Sequence, residues 1–258
     1  MNKLNKQQLT KLIFYATLVT ALVVIILCFG GQFWQSLQYN FGEKESIVSI
    51  LTGLGNTLLI TLFAFLLGVL LGVVVCLVQN SPNNSVVITI AKQIANIYVS
   101  IFRGTPAVVQ LLISYFIIFK VSADYAIWIA ILTFGLNSGA YVSEIIRGGI
   151  TAVPNGQMLA GRSLGLSYNT VMKKIVLPQA IKNALPSLGN EFITLIKETS
   201  VVGFIGAFDL TLAFRKLANA SYDYATVYLA MGIVYFLLVC GITNLFALLE
   251  KKVINHVK

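Results

Sequence analysis

Residues 52–78 read TGLGNTLLITLFAFLLGVLLGVVVCLV, a run with no charged side chain. An α-helix rises about 1.5 Å per residue, so roughly 20 such residues cross a hydrocarbon core about 30 Å thick. The run therefore sets the fold class as all-α and integral to a lipid bilayer.

Working outward, further apolar segments stand at 12–29, 106–119, 126–146, 188–208 and 224–249. With 52–78 they predict six transmembrane helices. The 12–29 run follows Lys3, Lys6 and Lys11, as a signal peptide would. It is long for a signal, however, and Ile26-Leu27 before Cys28 lacks the small residues of a cleavage site, so a retained helix is expected. Residues 86–119 are too long for one straight crossing and are broken at Arg103-Gly104-Thr105-Pro106. Proline removes a donor and restricts its predecessor, so an amphipathic lead-in should turn into a crossing near Pro106. Gly68 and Gly72 form a G-x-x-x-G, the spacing that lets a second helix approach closely.

Composition excludes several classes. Of the 258 residues, 57% are hydrophobic and 10% charged, with mean hydropathy +0.85; soluble domains carry about 25% charged residues. The net charge of +9 does not imply nucleic acid, because the basic residues gather at the ends of apolar segments. Cys28, Cys76 and Cys240 lie in or beside apolar runs and form no C-x-x-C, and His256 stands alone, so neither a disulfide framework nor a metal site is expected. The chain shows no nucleophile–base pair for a membrane enzyme and no repeated halves for a secondary transporter.

The basic residues also orient the chain. If the N-terminus is cytoplasmic, the inner segments hold Lys3, Lys6, Lys11, Lys92, Arg103, Arg147, Arg162, Lys173, Lys174, Lys182, Lys251, Lys252 and Lys258. The outer loops then hold only Lys44, Lys120, Arg215 and Lys216, beside Glu43, Glu45, Asp124, Asp209 and Asp223. The excess of Lys and Arg marks the cytoplasmic side. Both termini and the loop 148–187 are therefore expected in the cytoplasm, with Trp34 and Trp128 near the outer interface.

That loop has an ordered pattern. Pro154-Asn155-Gly156-Gln157 opens a short helix that reaches Leu164, Gly165 suits a helix C-terminus, and Ser167 can cap a second helix over 168–176 stopped at Leu177-Pro178. The sequence from Gly156 to Ser167, GQMLAGRSLGLS, followed by Ile175-Val176-Leu177-Pro178-Gln179-Ala180, resembles the coupling loop of ABC-importer permeases, in particular the polar amino acid subfamily of histidine, glutamine and arginine uptake. Asn56-Thr57, Arg103-Gly104-Thr105-Pro106, the run from Ala140 to Arg147, the run from Pro186 to Phe192 and Lys197-Glu198-Thr199-Ser200 extend the likeness over about residues 50–252.

The resemblance implies a permease domain at 50–252, an N-terminal segment with an additional helix at 1–49 and a cytoplasmic tail at 253–258. It implies a multi-pass subunit of a bacterial cell membrane, paired with a second permease subunit, identical or related. An extracytoplasmic binding protein would deliver a small polar amino acid to it. No G-x-x-x-x-G-K-[ST] occurs, so ATP and Mg would be held by a separate ATPase subunit. Gly156, Gln157, Leu159, Ala160, Gly161, Leu164, Gly165, Leu177 and Pro178 would couple the chain to that ATPase. One departure stands out: the family usually has Glu-Ala-Ala where this chain has Leu159-Ala160-Gly161.

Charges inside a bilayer cost about 2.5–3.5 kcal/mol each, so Glu191, Lys197 and Glu198 need partners or a wet path. An acidic residue suits a solute ammonium and a lysine suits a carboxylate; salt bridging within or between subunits accounts for the same residues. Asn137 and Ser138 offer neutral hydrogen bonds to a solute or to a neighbouring helix. Glu144 and Arg147, three apart, suit a helical ion pair.

Overall fold

A computed structural model describes residues 31–255 apart from Gln32, Asn84 and Val121. The expected first helix at 12–29 lies outside the described residues. A helical stretch at 33–41 leads to α1 (Lys44–Gln79) and α2 (Val86–Gly104). Next come α3 (Ala107–Ile113), widening into a π-turn over Ser114–Phe119, and α4 (Ala126–Thr151). Then follow α5 (Asn155–Ser163), α6 (Tyr168–Val171) with a wide turn at Met172–Val176, and α7 (Leu177–Glu198), which tightens to a 3-10 segment at Thr199–Ile205. α8 (Leu210–Ser221) and α9 (Tyr224–Asn255) complete the order, and no strand occurs among the described residues.

Among the described residues four helices are long and apolar enough to cross a membrane: Lys44–Gln79, Val86–Gly104, Ala123–Thr151 and Tyr224–Lys251; Ala107–Phe119 is a shorter apolar helix. The helices therefore do not match the expected crossings one for one. The segment expected at 188–208 begins at Leu177 and leaves the α-helical register after Glu198. The expected span opens after Lys182 and Pro186, whereas the backbone ladder runs through both.

The centre of the bundle is the pairing of α1 with α4. The buried residues of α1 are mostly small and recur about every four positions: Gly53, Thr57, Thr61, Ala64, Gly68, Gly72 and Cys76. Lipid tails are as apolar as leucine, so helices in a bilayer associate through close packing and small residues. A Cβ on Gly68 would stand 2.7 Å from Ser138 Cβ, and one on Gly72 would stand 2.6 Å from Val142 Cγ1. The fit is reciprocal, since a Cβ on Gly135 would stand 2.6 Å from Leu67 Cδ2 and one on Gly139 would stand 3.0 Å from Leu71 Cβ. Around this seam Ile60, Leu111, Ile129, Phe134, Leu195 and Val202 close a common core.

At one end α1 is tied to the chain between the 3-10 segment and α8. Asn56 Nδ2 donates to Phe208 O at 2.8 Å, Thr57 Oγ1 accepts from Leu210 N at 3.1 Å, and Gly53 lies against the Asp209 backbone. Asp209 caps α8 through Leu212 N and Thr211 N. At the other end lie Asn80, the C-terminus of α4 and the knob made by α5 and α6.

Replacing Gly72 by valine should cost roughly 1–3 kcal/mol through overpacking, and Gly55→Ala, whose Cβ meets nothing within 4 Å, should cost little. Thermal unfolding of the two purified variants in mild detergent checks the difference.

Candidate functional site

The knob is built from its caps. α5 ends on Gly165 at φ +80, a left-handed conformation that glycine adopts without a Cβ penalty. Gly165 N–H donates to Arg162 O at 3.0 Å and Leu166 N–H to Gly161 O at 3.2 Å, the paired closure of a Schellman motif. Ser167 Oγ then caps α6 through Thr170 N. Gly161 is buried, and a Cβ there would stand 2.7 Å from Val171 Cγ2. Glycine in place of the alanine of the resembling pattern thus lets α5 and α6 touch. Val153, Val171, Val176 and Ala180 form the knob's own core, which joins it to the starts and ends of α7 and α4.

Leu177-Pro178 does not stop the second knob helix. The wide turn at Met172–Val176 runs directly into α7, with Pro178 in its first turn. Proline lacks the N–H that would continue the ladder; the wider register precedes that gap, and Gln179 Nε2 donates to Ile175 O at 2.8 Å. The connection between α4 and α7 is accordingly 152–176, shorter than 148–187, and the knob is fused to a long helix. Gly156, Gln157, Ala160, Leu159 and Leu164 are exposed on it, with Leu159 66% and Leu164 81% accessible.

The intramembrane candidates divide into separate places. Ser138 Oγ donates to Glu191 Oε1 at 2.8 Å, both groups being buried beside the α1–α4 seam. Asn137, one residue away, turns to the break between α2 and α3. Its Nδ2 lies 3.2 Å from Phe102 O and 3.0 Å from Gln110 Oε1. Gln110 Nε2 in turn reaches Phe102 O at 2.9 Å, Thr105 O at 3.0 Å and Thr105 Oγ1 at 2.8 Å. Proline lacks the N–H that would continue the ladder, so the carbonyls released by the break at Pro106 lose their helical partners and these two amides take the place of those partners. Lys197 is exposed and lines a cleft of about 440 Å³ with Ser200, Thr211, Met231 and Tyr235, and Glu198 is half-buried.

Glu144 joins two arginines. Arg147 donates to it through Nε at 2.9 Å and Nη2 at 2.6 Å. Arg103 Nη1 reaches the same Oε2 at 3.1 Å while its guanidinium lies 5.4 Å from the Tyr141 ring centre. The spacing of Glu144 and Arg147 was readable in the sequence; Arg103, forty-one residues earlier, carries no local signal for that contact. Arg103, Tyr141 and Glu144 edge a cavity of about 480 Å³ that also takes in Asn183 and Ser187, next to the base of the knob.

A family model described as the binding-protein-dependent transport system inner membrane component matches residues 85–255. The chain belongs to that family. The permease is 37% identical over 220 residues to a putative glutamine transport system permease protein of Rickettsia typhi, covering 84% of this chain and 99% of the relative. It is 39% identical over 208 residues to an arginine transport system permease protein of Bacillus subtilis, covering 79% and 91%. A solved amino acid ABC transporter with histidines superposes with TM-score 0.74 at 36% identity, over 81% of this chain and 95% of that one. The MetNI methionine ABC transporter, at TM-score 0.68 and 17% identity, shows likeness of fold alone. The permease is thus a membrane-spanning subunit of an ABC importer, a component that has no ATPase site and depends on a partner for ATP hydrolysis.

Two substitutions separate the buried amides from the ion triad. Asn137→Leu in the permease orphans Gln110 Oε1 in a buried site and should destabilise by about 1–3 kcal/mol. Glu144→Gln breaks bonds to arginines that are 42% and 49% exposed and should cost under about 1 kcal/mol. Detergent unfolding curves that reversed this order would contradict the assignment of Asn137 as the support of the helix break.

Proposed function

We propose that the permease carries a polar amino acid across a bacterial cell membrane, both termini and the α5–α6 knob lying in the cytoplasm. An extracytoplasmic binding protein delivers the solute, and an ATPase subunit drives the cycle through the knob. The observation that carries this reading is the knob itself: a capped helix–turn–helix with its own core, fused to α7, with apolar side chains left facing outward. A loop that merely linked two spans would need no such core. Fusion to α7 gives a push on the knob a rigid path to Glu191, Lys197 and Glu198, because displacement of a helix end moves the whole helix.

Two relatives named for glutamine and arginine transport and the amino acid transporter superposing on this chain support an amino acid as cargo. A second permease, the same or a related chain, would complete the path. The positive-inside distribution of Lys and Arg supports the orientation. Ser138 with Glu191 and the cavity at Glu144 are the candidate polar stations of the path.

Gly165→Val forces a branched side chain into the left-handed region, at roughly 1–2 kcal/mol, and should uncouple the knob without unfolding the bundle. Uptake of labelled glutamine and arginine into cells should fall to background in this variant while its membrane level and detergent melting stay near wild type. Uptake by the wild type that persisted after removal of every P-loop ATPase partner would overturn the importer mechanism.

A further inference from the structure

The outward face of the knob has a chemistry that specifies its partner. Between Glu144 and Glu191 the sequence contains no acidic residue, while Arg147, Arg162, Lys173, Lys174 and Lys182 lie in that interval. Arg162, Lys173 and Lys174 are exposed on the knob, and no hydrogen bond or ion pair engages their side chains among the described residues. Leu159 and Leu164 stand exposed on the same small unit, with Leu166 and Leu177 more than a third accessible. The inner face needs none of these side chains, because Val171, Val176, Val153 and Ala180 already close its core.

We infer that the ATPase surface receiving this knob is an apolar depression for Leu159 and Leu164 bordered by carboxylates that face Arg162, Lys173 and Lys174. This rests on the reading that the knob docks on an ATPase. Charge selects the occupant's chemistry: a knob of one sign meets its complement, which steers association and rejects like-charged surfaces. Leucine at position 159, where the resembling pattern has glutamate, removes the one carboxylate that could have met a basic groove. A groove built around a cation there would be left with a buried, unpaired charge, which is costly. The permease is therefore selective for an ATPase with no basic residue opposite position 159.

The test uses the full-length permease in nanodiscs of neutral lipid. Its probe is the purified P-loop ATPase that restores ATP-driven uptake to proteoliposomes holding the wild-type chain and supplied with the solute-binding protein. Leu159→Glu should weaken ATPase binding roughly tenfold or more, and Leu159→Gln should weaken it less. Lys173→Glu combined with Lys174→Glu should weaken it and flatten its salt dependence, since exposed charges are screened beyond about 8 Å at physiological ionic strength. Leu159 is exposed and outside the core, so melting curves of these variants should match wild type and exclude misfolding.

Unchanged binding by Leu159→Glu would overturn the apolar depression while leaving the ATPase reading in place. A lysine effect that appeared only when the nanodiscs contained anionic lipid would assign those cations to headgroups and overturn the acidic border. If no ATPase restored uptake, the docking reading and this inference would fail together.

Discussion

The seam between α1 and α4 is the contact on which the other parts of the permease depend. In a bilayer the hydrophobic effect does not draw helices together, so the attraction must come from contact area and satisfied polar groups. Glycines on both helices allow that contact: Gly68 and Gly72 admit Ser138 and Val142, and Gly135 and Gly139 admit Leu67 and Leu71. With the seam closed, α4 becomes the most buried of the long apolar helices, 67% of its apolar window being enclosed. It can then present polar side chains on several sides without exposing them to lipid. Ser138 faces Glu191, Asn137 faces the α2–α3 break, and Glu144 faces Arg103 at the knob end.

The break at Arg103-Gly104-Thr105-Pro106 shows the cost of interrupting a helix in such surroundings and how it is met. Thr105 is extended, as the residue before a proline prefers, and the carbonyls it frees are covered by the amides of Gln110 and Asn137. Arg103, placed by the same turn, is what reaches Glu144. The break thus links the amphipathic α2 to the end of α4 that carries the knob, through one charged contact and two amides. The knob is also continuous with the bundle through α7, which starts at the knob and holds Glu191 in its fourth turn.

Much was legible in the sequence because it depends on local periodicity or on single residue types. The helical class, the apolar run at 52–78, the close-packing pair Gly68 and Gly72, the break at Pro106, the glycine turn at 165 and the serine cap at 167 each follow from properties of a few adjacent residues. A lipid environment reinforces this legibility, because it forces every spanning backbone to satisfy itself internally. The limits of α7 were less legible. A proline and a lysine suggest a boundary in sequence, but neither interrupts the hydrogen-bond ladder here, so α7 starts at Leu177 and includes Lys182 and Pro186.

Sequence alone determined that this chain is a bundle of helices in a membrane with one ordered knob, since those features are encoded over one or two helical turns. Only the tertiary structure decided which polar groups meet. Asn137 and Ser138 are adjacent in sequence yet serve different neighbours, because residues next to each other on a helix point about 100° apart. Arg103 joins Glu144, and Gln110 joins Asn137, across separations for which no local pattern exists. Glycine at 161 likewise reads as a mere departure from a pattern until Val171 is seen against it. Such contacts are set by how rigid helices cross, and the crossing is fixed by the sum of packing along the whole α1–α4 seam.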